Sequence, residues 1–164
     1  MSTPTAKAIQ SAPKRIGRRM PVERQPVRIK RRGASLGIDA ADTPALIQRI
    51  EAGFPFDTLQ HLESHSGFTL AMLASIIGIP ERTLARRKAS GKLSPEESER
   101  LIRISSIFER TMDLFEDDLA AAVRWLTSPK KALDHQQPLQ YARTELGARE
   151  VENLLGRLEY GVFS

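Results

Sequence analysis

The chain has 164 residues, 40% of them hydrophobic and only 5% aromatic, which is enough for one ordinary domain or two very small ones. It contains no cysteine, so disulfides, thiolate nucleophiles and cysteine-based zinc sites are excluded. The net charge of +5 is uneven: residues 1–36 hold ten Lys and Arg against one acid (net +9), and residues 37–164 hold 15 against 19 (net −4). A basic arm on a mildly acidic body is common among nucleic-acid binders.

Residues 1–36 are predicted to form a disordered basic tail. They contain four prolines and scattered arginines, and no helical or strand period persists. Such a segment cannot bury enough apolar surface to offset its ordering entropy. Its basic runs at 14–19 and 28–32 could lie along phosphates, and a tail that only increases solubility is the alternative. No apolar run is long enough to span a bilayer or to form a signal peptide, so we expect a cytoplasmic protein with no membrane contact.

A series of helices is predicted from residue 43 onward. Capping residues and apolar spacing predict a helix capped by Thr43, a second capped by Asp57 or Thr58, a third capped by Thr69, and a fourth that begins at Pro80. The sequence Ser-Pro-Glu-Glu at 94–97 predicts a capping box that begins the longest helix, to about residue 115. Further helices are predicted at 119–126, 139–146 and 148–160. No stretch alternates long enough for a strand, so the predicted fold class is all-α.

Apolar residues recur at spacings of three and four along the longest predicted helix. They are Leu101, Ile104, Phe108, Met112 and Phe115. A narrow stripe of this kind suits either packing within the chain or contact with a partner helix.

Residues 70–89 match the pattern of a helix-turn-helix. Ala74 is the small residue where the helices would cross, Gly78 suits the turn, and Leu84 is an inward apolar residue of the second helix. The predicted DNA-contacting residues are Thr69, Arg82, Thr83, Arg86 and Arg87. Arginine can bind guanine through two hydrogen bonds in the major groove. The helix-turn-helix pattern has an apolar residue at the position that Arg87 occupies in this chain. Either the second helix ends early or Arg87 points outward. The alternative is a helical hairpin with a solvated basic face.

No arrangement of residues predicts catalysis. His61 and His65 are four residues apart, as metal ligands on a helix would be, but no third ligand is evident. His135 lies beside Asp134 in a polar loop without a nucleophile motif, and the acidic residues at 113–118 are better explained by a helix end. We therefore predict no enzyme, no metal, no cofactor and no small-molecule substrate.

The C-terminal third contains two apolar segments that could contact a protein. The single tryptophan, in Trp125-Leu126, precedes a proline-bounded loop, and the chain closes with Val162-Phe163. Aromatic and apolar residues of this kind serve as anchors in protein interfaces. The alternative is that Trp125 and Phe163 belong to the core.

Residues 94–164 resemble the toxin-binding domain of Xre/MbcA/ParS-type antitoxins. The resemblance rests on Trp-Leu-x-x-Pro at 125–129, Ala-Leu at 132–133, Pro-Leu at 138–139, and the run from Gly147 to Val162. The helix-turn-helix fits the Xre portion, so about residues 42–164 are covered. The implied organisation is a tail at 1–36, a helix-turn-helix domain at 37–93, and a helical dimerisation and toxin-binding domain at 94–164.

The resemblance implies an antitoxin of a type II toxin–antitoxin system. The usual partner is a RES-domain toxin that destroys NAD⁺; the antitoxin blocks the toxin's active site, and the complex represses its own operon by binding operator DNA. A homodimer is expected, with the stripe of Leu101, Ile104, Phe108, Met112 and Phe115 as its surface. The residues expected to face the toxin are Trp125, Leu126, Pro129, Lys130, Leu133, Arg149, Glu152, Arg157, Tyr160, Gly161, Val162 and Phe163.

Two other functions fit the same residues. One is a stand-alone transcriptional regulator whose C-terminal domain only dimerises. The other is a protein-interaction module with a degenerate helix-turn-helix. The charged residue at position 87, where the pattern has an apolar one, favours this alternative.

Overall fold

The computed structural model describes residues 32–39 and 42–161. In these ranges the chain forms eight α-helices and two 3-10 turns and contains no β-strand, which confirms the all-α prediction. The helices are α1 (Thr43–Ala52), α2 (Asp57–Ser66), α3 (Leu70–Ile76), α4 (Glu81–Ser90), α5 (Pro95–Leu114), α6 (Leu119–Thr127), α7 (Pro138–Tyr141) and α8 (Glu145–Glu159), and the 3-10 turns are Ala34–Leu36 and Lys131–Leu133. None of the helices in the described ranges is long and apolar enough to cross a membrane.

Helix α5 is the central element of the fold. It packs against α1 and α2 on the N-terminal side and against α6 and α8 on the C-terminal side. Its 20 residues span about 30 Å, so a single helix can serve both sides. Except for Ala122, the buried apolar residues of the described chain accordingly form one continuous core.

The apolar stripe on α5 belongs to this core. Leu101, Ile104 and Phe108 are at most 3% exposed, and Met112 and Phe115 are half-buried. The prediction of a dimer surface is therefore wrong for the first three residues, because their side chains already pack inside their own chain. Of the two uses that the spacing left open, packing within the chain is confirmed for them.

The end of the predicted tail is part of the folded body. Leu36 is fully buried, and the Glu109 carboxylate on α5 accepts hydrogen bonds from the backbone N–H groups of Gly33 (3.3 Å) and Ser35 (2.8 Å) and from the Ser35 hydroxyl (2.7 Å). The predicted border at residue 36 is therefore wrong, because a buried acid 74–76 residues farther along the chain holds Gly33 and Ser35. Residues 1–31 of the predicted tail lie outside the described residues.

Replacing Glu109 by alanine is expected to lower the free energy of unfolding by about 2–4 kcal/mol, because three buried donors lose their acceptor. Glu99→Ala on the same helix is the control: its side chain is 63% exposed in an i,i+4 pair with Arg103, and we expect a change within about 0.5 kcal/mol. Urea denaturation measures both. Equal, small losses in the two variants would contradict the role of Glu109.

The predicted starts of α3 and α5 are confirmed. The Thr69 hydroxyl caps α3, and Ser94 and Glu97 form the capping box of α5. Helix α4 ends at its C-cap, Gly91, which has a positive φ. Two caps lie one residue earlier than predicted, at Asp42 for α1 and Phe56 for α2.

The boundary between the last two helices is displaced. The predicted helices at 139–146 and 148–160 are instead α7 and α8, with a break at residues 142–144. The Thr144 side chain accepts a hydrogen bond from the Gly147 N–H and so begins α8 there. Gly147, which lay between the two predicted helices, is inside α8, where a side chain would collide with the Tyr141 carbonyl.

Candidate functional site

Helices α3 and α4 form the predicted helix-turn-helix. Gly78 has φ +75°, the Ile79 N–H donates to the Ala74 carbonyl (2.8 Å), and both Ala74 and Ile79 are buried. Leu84 is half-buried against the core. The residue pattern that predicted the motif therefore occupies the positions expected of it.

Arg100 of α5 supports the turn of this motif. Its Nη1 donates to the Ile77 carbonyl at 3.2 Å, and a Cβ at Gly78 would lie 3.1 Å from the same nitrogen. Sequence reasoning missed this contact because the partners are 23 residues apart and no local pattern links them.

The outward face of α4 is basic and exposed. The helix has no fully buried residue, and Arg82 and Arg86 lie one turn apart on the same face. In the described part of the chain neither guanidinium has a carboxylate at ion-pair distance. Thr83 is half-buried on this helix, and Thr69 is exposed at the start of α3. Two free arginines at this spacing can contact base edges or phosphates of a DNA duplex.

Arg87 does not belong to that face. Its Nε lies 2.8 Å from Oε2 of Glu97, a largely buried carboxylate of the α5 capping box. The charge of Arg87 is therefore held by α5, and its role as a DNA contact stays a prediction. The proposed early end of the second helix is wrong, because α4 continues to Ser90. The ion pair takes the place of the apolar contact that the template expects here.

The predicted toxin-facing loop is partly core. Leu126 and Leu133 are buried, so their prediction as partner contacts is wrong. Trp125 is half-buried: its ring lies 6.5 Å from that of Phe115, and the Lys130 Nζ lies 5.3 Å from its centroid. Desolvation by partial burial lowers the pKa of Lys130. Pro129 is exposed, so of this loop Pro129 and the edges of Trp125 and Lys130 are accessible.

The last helix presents the other predicted contacts. Arg149, Arg157, Tyr160 and Gly161 are exposed, with Tyr160 at 76%, and Glu152 is half-buried. Arg149 is paired with Glu145 at 3.1 Å. The turn at Lys131–Leu133 packs on α8, so the loop and this helix are neighbours. Val162 and Phe163 lie outside the described residues.

One exposed apolar residue was missed. Leu146, at the start of α8, is 77% exposed, more than any other large hydrophobic side chain of the described ranges. The sequence placed it at the end of a predicted helix, and only the true start of α8 shows that it faces solvent.

The histidines and acidic residues that were considered for catalysis or metal binding do not form such a site in the described residues. His61 and His65 stack on the surface with ring centroids 6.0 Å apart, and within residues 32–39 and 42–161 no three His, Asp or Glu side chains are grouped as a metal site. The acidic residues at 113–118 form the junction of α5 and α6, where Asp118 caps α6. The helix-end interpretation of this cluster is confirmed.

Two known domain families match consecutive parts of the chain from residue 45 onward. Residues 45–106 match the antitoxin Xre-like helix-turn-helix domain, and residues 110–161 match the antitoxin Xre/MbcA/ParS C-terminal toxin-binding domain. These matches meet inside α5, whereas the predicted border lay between residues 93 and 94.

Three similar proteins are named Antitoxin Xre. The protein of Yersinia enterocolitica is 38% identical over 130 residues, which cover 79% of this chain and 88% of the relative. The Photorhabdus laumondii protein is 30% identical over 131 residues, with the same coverage. The Pseudomonas putida protein is 32% identical over 114 residues, covering 69% of this chain and 70% of the relative.

Proposed function

The chain belongs to the Xre/MbcA/ParS family of antitoxins, and on that premise we propose that it neutralises a RES-domain toxin that destroys NAD⁺ and represses its own operon through the helix-turn-helix. The observation that carries the proposal is that one chain presents two separate free surfaces. One is the basic face of α4, and the other is the exposed face of α8 with the neighbouring loop. Both roles would be carried out in the cytoplasm.

The toxin-binding part acts by covering a site rather than by chemistry. An antitoxin is not an enzyme, and steric closure of a substrate cleft needs only side chains that fill it. Tyr160 supports this role because it is a large, rigid side chain with little packing of its own. Aromatic residues of this kind contribute most of the binding energy in many interfaces. The RES toxin itself is proposed from the resemblance of residues 94–164.

Expressing the gene adjacent to this chain's own gene is expected to stop bacterial growth and deplete NAD⁺, and co-expression of the full chain should restore both. Tyr160→Glu should raise the amount of antitoxin needed by roughly 30-fold or more, because loss of an interface aromatic costs about 2 kcal/mol or more. Ile47→Glu, at an exposed apolar residue of α1, is the matched control and should rescue fully. Growth and NAD⁺ content are the measurements.

The outcomes separate the parts of the proposal. Growth arrest without loss of NAD⁺ would overturn the RES assignment and leave the antitoxin role. Full rescue by Tyr160→Glu would remove α8 from the toxin surface. No toxicity from the neighbour would favour the stand-alone regulator. Homodimer formation stays a prediction, and its surface must lie outside the buried part of the α5 stripe.

A further inference from the structure

Arg143 lies beside the helix-turn-helix although it belongs to the C-terminal half. It occupies the exposed turn between α7 and α8. It lines a cleft of about 840 Å³ between α3 and α4, whose other lining residues all lie at 70–84. It also lines a neighbouring cleft of about 640 Å³, between the end of α3 and the start of α8. Arg143 therefore stands on the ridge that the two clefts share.

The cleft between α3 and α4 includes the start of α4. Its lining contains Ala71 and Ser75 on α3 and Pro80 and Glu81 at the beginning of α4. In a helix-turn-helix the first helix crosses the DNA backbone, and the N-terminal residues of the second reach the bases. On a bound duplex, a long cationic side chain at this position would therefore lie next to the path of the phosphates.

The positive charge of Arg143 is not paired within the described residues and can bind an external anion. Its guanidinium has no carboxylate within 4.0 Å among the described residues, although Glu81 and Glu150 line the same clefts. Five other arginines have partners in the described residues: Arg87 with Glu97, Arg103 with Glu99 and Glu145, Arg110 with Glu159, Arg149 with Glu145, and Arg100 with the Ile77 carbonyl. Arg143 instead resembles Arg82 and Arg86 on α4, which also have no carboxylate at ion-pair distance there.

We propose that Arg143 contacts a DNA phosphate beside α4, so that the operator interface extends from the helix-turn-helix onto the toxin-binding half of the chain. The inference rests on the proposed binding of operator DNA. A phosphate contact positions the protein on the duplex and is independent of base sequence. Arg143 thus adds affinity and orientation, whereas Arg82 and Arg86 select the site.

The test compares full-length wild type, Arg143→Ala and Arg143→Lys. The probes are a duplex covering the region upstream of the chain's own gene and a shuffled duplex of the same length. Arg143→Ala is expected to weaken binding to both duplexes about tenfold, as loss of one charge-assisted hydrogen bond would. The slope of the logarithm of the binding constant against the logarithm of the salt concentration should become shallower by about 0.9. Arg143→Lys keeps the charge and should retain most of the affinity. Thermal unfolding should be unchanged.

Arg124→Ala is the matched control, since it removes one exposed arginine from α6 and should leave affinity and slope as in the wild type. An unchanged slope in Arg143→Ala, or an equal loss in Arg124→Ala, would overturn the inference. Failure of the wild type to bind either duplex would instead overturn the proposed DNA binding, and this inference with it.

Discussion

Replacing both Arg82 and Arg86 by alanine is expected to abolish operator binding while toxin neutralisation persists. Both side chains project from a helix that has no fully buried residue, so their removal leaves the core intact. Each bidentate contact to a base contributes about 1–3 kcal/mol, so the pair accounts for about 2–6 kcal/mol, or roughly a 30-fold or greater loss of affinity. Binding of the full chain to the duplex upstream of its gene measures the effect.

A matched double variant separates base contacts from net charge. Arg49→Ala with Arg124→Ala removes two exposed arginines from α1 and α6 and lowers the net charge by the same amount. It should bind the operator nearly as the wild type does. Operator binding at wild-type affinity in the Arg82 and Arg86 variant would contradict the assignment of this face. Loss of both operator binding and growth rescue, with a lower melting temperature, would instead indicate misfolding.

Gly147→Ala is expected to destabilise the C-terminal half severely. An added Cβ would lie 1.8 Å from the Tyr141 carbonyl oxygen and 2.8 Å from its carbon, and both are backbone atoms that cannot swing away. Either α7 or α8 must shift, and overpacking of this kind costs about 1–3 kcal/mol or more. Because α8 packs on α5, we expect the loss in the global free energy of unfolding and in growth rescue together.

Gly156→Ala is the control within the same helix. Its added Cβ would meet only the Arg110 Nη2, the end of a flexible side chain, at 3.1 Å. Alanine is favoured over glycine in a helix by about 0.5–1 kcal/mol, so this variant should be unchanged or slightly more stable. Urea denaturation of both variants measures the contrast. A Gly147→Ala chain as stable as Gly156→Ala would contradict the close packing of α7 on α8.

Local chemistry let the sequence predict the elements of the N-terminal half. Caps at Thr69 and Ser94 and the turn at Gly78 are satisfied within a few residues, so their patterns can be recognised without knowledge of the fold. The same is true of the long C-terminal motif, whose resemblance indicated the family. The exposed arginines on α4 followed from helical spacing alone.

Tertiary packing decided what the local pattern left open. The spacing along α5 fits a dimer as well as a core, and only the helices that surround Leu101 and Phe108 determine the choice. Arg87 pairs with Glu97 ten residues away, and Ser35 with Glu109 across 74 residues. Such contacts depend on which surfaces the folded chain brings together. Periodicity along the sequence therefore determined the helices, whereas burial and ion pairing between distant residues determined which side chains remain free to bind a partner.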